Sequence, residues 1–203
     1  MPAEYSFFLL LVSGAIPVVV ISYSLWKKYE GFHLPIFCWF LIRFITDLIV
    51  FVNRENPSSV YAPVVHVSIL VETMLLIHFF LKNRTAIRYA YLLYLLPTFI
   101  FVLETLVLSS IFQTNRIANF TNDFLIVLLM FVLLLNQRAT QKKNHSIIKL
   151  LFLYHAIAFV YFIFIKQLRG NLQLIQLIYP VFLLVIASFN IAVSYLFWSK
   201  PKD

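Results

Sequence analysis

The sequence predicts an all-α, polytopic membrane protein: one bundle of seven transmembrane helices, with the N-terminus outside and the C-terminus inside. Three observations lead there. Hydrophobic residues make up 62% of the 203 and charged residues 12%, against about 45–50% and about 25% in a soluble domain. The apolar excess gathers into seven stretches, each near the twenty or so residues that cross a hydrocarbon core about 30 Å thick. Basic residues then crowd into alternate loops, the pattern that sets membrane orientation.

The predicted spans are 5–26, 34–52, 62–81, 88–112, 119–136, 147–166 and 176–198, and together they make a single transmembrane domain. Pro35 and Pro63 fit first turns, where a missing N–H costs nothing. Pro17 and Pro97 fall inside spans and should kink them. With only three glycines, close packing of small residues cannot be the main adhesive. Bulky Leu, Ile and Phe side chains with a few polar contacts must hold the helices together.

Eleven basic residues fall on one side: Lys27, Lys28, Lys82, Arg84, Arg88, Arg138, Lys142, Lys143, Lys149, Lys200 and Lys202. Four fall on the other, Arg54, Arg116, Lys166 and Arg169, and Arg43 lies within the second span. The richer side is expected in the cytoplasm. Trp26 and Trp198 at predicted inner ends suit interfacial anchoring. A net charge of +8 would suggest nucleic acid in a soluble protein. Here the basic loops explain it, so the lipid bilayer is the expected partner and nucleic acid is not. Cys38 is the single cysteine, which excludes an intrachain disulfide. Residues 1–6 carry Glu4 and no Lys or Arg, unlike a cleavable signal peptide. The short loops and tail predict no fused output domain.

The polar residues within the spans are the candidate site. Arg43 and Asp47 sit four apart on one helical face. A charge at such depth costs roughly 2.5–3.5 kcal/mol on the mildest scale, and it normally faces a bundle interior or a partner. At a rise of 1.5 Å per residue, Arg43 and Glu72 both lie roughly 14–15 Å deep, so an Arg43–Glu72 or Arg43–Asp47 ion pair is expected. Asp47, His66, Glu104 and Asp123 fall in the outer half, and Asn119, Asn122 and Asp123 make the start of the fifth span polar. His155 and Asn190, both roughly 20 Å from the outer surface, should form a second, inner polar layer. The whole set reads as an outward-facing acidic cavity: Arg43, Asp47, His66, Glu72, Glu104, Asn122, Asp123, His155 and Asn190. Its plainer alternative is a group of interhelical locks, with Asp123 resting at the interface near a helix N-terminus.

Several chemistries find no support. The last span lacks a lysine for a Schiff base. The outer layer offers His66 and scattered carboxylates rather than a clustered zinc set. No serine sits in a Gly-x-Ser-x-Gly setting, and the prolines do not pair as in transporters built from inverted repeats. No cofactor is expected.

The run 65–80, Val-His-Val-Ser-Ile-Leu-Val-Glu-Thr-Met-Leu-Leu-Ile-His-Phe-Phe, resembles a group of small seven-helix proteins of Bacteroidetes-type bacteria. The polar start of the fifth span (Asn119, Asn122, Asp123) is similar too. That group is itself similar to the seven-transmembrane input regions of sensor histidine kinases. The resemblance implies a sensor-like module of the bacterial inner membrane. The expected function is therefore a sensory or accessory module. It would couple a small cationic ligand or a proton in the cavity to a cytoplasmic signalling partner, docked on the basic loops 82–88 and 138–149. A membrane-embedded lipid-modifying enzyme is the alternative, with Glu72 or Asp47 and His155 in acid–base roles, and a small transporter or channel comes third.

Overall fold

A computed structural model describes residues 3–26, 33–53, 57–82, 90–105, 116–135, 142–167 and 171–199. They form seven helices: α1 (Ala3–Trp26), α2 (His33–Val52), α3 (Pro57–Lys82), α4 (Ala90–Leu103), α5 (Arg116–Leu135), α6 (Lys142–Gln167) and α7 (Leu172–Trp198). Phe8–Trp26, Leu34–Val52, Pro63–Leu81 and Gln176–Trp198 are long and apolar enough to cross a membrane. Leu92–Leu103, Phe120–Leu135 and His145–Tyr161 are shorter apolar stretches. Residues 106–112 of the predicted fourth span lie outside the described residues, as does Asn136 at the end of the fifth. Of the basic loops, 83–88 and 138–141 lie outside them as well.

Several helices run past their apolar spans, because backbone hydrogen bonding does not stop where hydropathy falls. α6 begins at Lys142 rather than 147, and α7 at Leu172 rather than 176. Asn171 caps α7, its side chain accepting from the Leu174 N–H at 3.2 Å. Pro63 needs correction: α3 starts at Pro57, so Pro57 takes the first turn and Pro63 is interior. The polar Ser58-Ser59 pair hides that extra turn from hydropathy. Pro17, Pro97 and Pro180 are likewise interior. Beyond Leu103, Glu104 and Thr105 continue in a wider, π-type turn.

Six of the helices close a ring. α1 packs on α2 and α7, α2 on α3, α3 on α5, α5 on α6, and α6 on α7. Because α3 meets α5 directly, α4 sits against the α3–α5 pair on the outside of that ring. The burial pattern is the reverse of a soluble protein's. Leu177, Val52 and Leu135 are 72%, 70% and 68% exposed, while Asn122, His155 and Asn190 are 6%, 7% and 4%. Large apolar surface left outside with polar groups enclosed suits lipid rather than water.

The apolar core is lopsided along the bundle axis. Ile21, Ile36, Phe40, Leu76, Phe80, Met130, Ile147 and Ile148 are essentially fully buried. All lie toward the end where α1 and α3 finish and α2 and α6 begin. That half is solid. The half where α1, α3, α5 and α7 begin holds the polar groups.

Candidate functional site

A cavity of about 360 Å³ occupies the polar half of the ring, lined from α1, α2, α3, α5, α6 and α7. Six of the nine candidate residues line it: Arg43, Asp47, Glu72, Asn122, Asp123 and His155. The seven-residue interval between helical positions 36, 43 and 50 puts Ile36, Arg43 and Val50 on one face of α2. The same inward face therefore turns from core to cavity along its length.

Arg43 is held differently from the expected ion pair. Its guanidinium donates to the Tyr154 hydroxyl, not to Asp47 or Glu72. It also stands over two aromatic faces, 4.8 Å from the Tyr154 ring centroid and 5.4 Å from that of Trp39. Such cation–π contacts are worth about 2 kcal/mol when desolvated. Asp47 and Glu72 are close enough to feel the guanidinium charge, but across cavity space rather than in contact. The reason lies in α6. Tyr154 projects into the ring centre and stacks on Phe189 at 4.5 Å, with Trp39 edge-on at 6.2 Å. Trp39 and Tyr154 line the cavity, with Phe189 stacked behind the phenol, and the phenol stands where a carboxylate was expected.

Asp123 is no bystander at the interface. Its Oδ1 lies 2.8 Å from His155 Nδ1, joining α5 to α6. This also corrects the position of His155, which belongs to the cavity and not to a separate layer with Asn190. Spacing along one helix gives a height within that helix only, whereas the way α5 and α6 pack sets Asp123 and His155 level with each other. With Nδ1 donating to the carboxylate, the neutral imidazole presents Nε2 as an acceptor. His155 Nε2, Asn122 Oδ1 and Trp39 Nε1 are buried without a hydrogen-bond partner. The Trp39 N–H comes near Glu72 but falls short of hydrogen-bond geometry. Each unmet buried group costs about 1–3 kcal/mol.

The other three candidates lie elsewhere. Asn190 Nδ2 donates to Ser13 Oγ at 3.3 Å, a lock between α7 and α1. His66 is buried on α3 without lining the cavity. Glu104 is buried at the end of α4, and α4 stands outside the ring, so the carboxylate does not reach the lining. Trp39 and Tyr154, which line the cavity beside Arg43, are absent from the nine candidates. The Trp39–Arg43 spacing of four, which suits a cation–π pair on one helical face, was the available signal. Among the described residues, no group of three or more His, Cys, Asp or Glu could hold a metal ion.

No protein-family model matches the chain, and no curated protein or solved structure matches it either.

Proposed function

We propose that the chain is a seven-pass receptor-like module of a bacterial inner membrane, sensing a cation or proton in the polar cavity. The observation that carries this reading is the charge of the lining. Asp47, Glu72 and Asp123 stand against Arg43, with Asp123 in contact with His155. Such a set is costly inside an apolar bundle unless a proton or a cation shares it. Occupancy then changes the forces between helices, which is what a sensor requires. The solid apolar core in the other half of the ring speaks against a transport path. The basic loops are the expected docking surface for an acidic cytoplasmic partner.

Two measurements test this reading. Glu72→Gln should insert and fold, yet its unfolding midpoint should respond less than wild type to pH between about 5 and 8, the window where histidine chemistry operates, and to added cations. Identical responses would reduce the cavity to a packing feature. For orientation, eleven basic residues against four place Asp203 in the cytoplasm. A reporter fused there that works only in the periplasm should stay silent, and a strong signal would overturn the helix count.

The Asp123–His155 pair supports a second reading, since a histidine held by a carboxylate with Nε2 free is arranged as a general base. A membrane-embedded enzyme acting on a lipid head group would use it so. Turnover of a labelled lipid that His155→Gln abolishes would favour this reading.

A further inference from the structure

A second hollow, of about 430 Å³, runs along the outer surface between α2 and α3, lined by Ile42, Ile45, Pro63, Val64, Val67 and Val71. Apart from Thr46 and Ser68, the described residues of its walls are apolar. Those two residues also line the polar cavity. The groove and the cavity are therefore neighbours through a common wall at Thr46 and Ser68.

Resting on the receptor reading above, we infer that the natural occupant is a single-chain amphiphile with a primary ammonium head, reaching the cavity sideways from the bilayer between α2 and α3. The head group follows from the cavity. Among the described residues its lining carries three carboxylates against one guanidinium, so the occupant is cationic. Asn122 Oδ1 and His155 Nε2 are acceptors without partners, on residues only 6% and 7% exposed. They ask for N–H donors, which a primary ammonium has and a quaternary one lacks. A bare metal ion fits less well, because no cluster of three ligating side chains exists among the described residues. The chain follows from the groove, whose apolar walls begin where the polar lining ends. Ser68 stands at the junction, its hydroxyl donating to the Val65 carbonyl at 2.9 Å and keeping its lone pairs as acceptors.

Calorimetric titration of the purified protein in an uncharged detergent tests this with three probes: n-decylammonium, methylammonium and n-decyltrimethylammonium. Decylammonium should bind best, and its trimethyl analogue should be weaker by roughly tenfold or more, the value of a lost hydrogen bond to a buried acceptor. Asn122→Leu should shrink that preference. Val67 and Ile45 are 49% and 44% exposed on the groove, so Val67→Trp and Ile45→Trp can fill it without disturbing the core. Either should bring decylammonium down toward methylammonium while leaving the pH response of the cavity intact. Equal binding of the two decyl probes, or a decyl advantage that survives both tryptophan variants, would overturn the inference. If no amine binds but Glu72→Gln still flattens the pH response, the inference fails and the receptor reading stands. If that response is absent too, both fail.

Discussion

Arg43→Ala should destabilise the bundle by about 3–5 kcal/mol, the usual consequence of stranding buried charge by removing its partner. Three losses coincide at this position: the bond to the Tyr154 hydroxyl, two cation–π contacts, and the one guanidinium that faces Asp47 and Glu72 among the described residues. Tyr154→Phe removes the first alone and should cost about 1.5–3 kcal/mol, the range for a hydrogen bond to a charged group. Arg43→Lys keeps the charge but loses the planar stack, so it should fall between wild type and alanine. Denaturant unfolding in mixed micelles can order the three variants. If Arg43→Ala proves no worse than Tyr154→Phe, the two carboxylates do not depend on the arginine, and the charge argument for the cavity loses its centre.

The Asp123–His155 pair is expected to be strongly non-additive. His155→Phe leaves a carboxylate in the ring interior, its side chain 14% exposed, and should cost about 3 kcal/mol, the lower end of the range for a broken buried pair. Asp123→Leu alone strands the imidazole and should cost a similar amount. The double variant removes both polar partners at once, and replacing both by apolar groups is often close to neutral. It should therefore recover most of the loss, and a double-mutant cycle measures the recovery. A double variant as unstable as the sum of the two singles would mean that the 2.8 Å contact carries no coupling.

Periodicity and composition made the helices legible, because a backbone surrounded by lipid must satisfy its own hydrogen bonds and needs about twenty apolar residues to do so. That constraint acts locally, so it can be read residue by residue. It fixed the number and order of the helices, and it missed some of their ends where polar turns such as Ser58-Ser59 or 142–146 carry on past the apolar stretch. The inventory of the cavity was also largely visible, since charged groups within apolar spans must face inward. Arg43, Asp47, Glu72, Asn122, Asp123 and His155 were all recognisable on that ground.

What the sequence could not decide is which of these groups meet. Glu104 has the same signature as Glu72, yet α3 packs directly on α5 and leaves α4 outside the ring, so one glutamate lines the cavity and the other does not. Arg43 had two carboxylates within plausible reach and instead took the hydroxyl of Tyr154, 111 positions away, because the aromatic stack on Phe189 fixes that phenol at the ring centre. Asp123 found His155 by the same kind of accident of register between α5 and α6. Helix formation is dictated by neighbours along the chain, whereas pairing depends on which helices share a wall and at what height. Those are properties of the packed ring, and no single helix contains them.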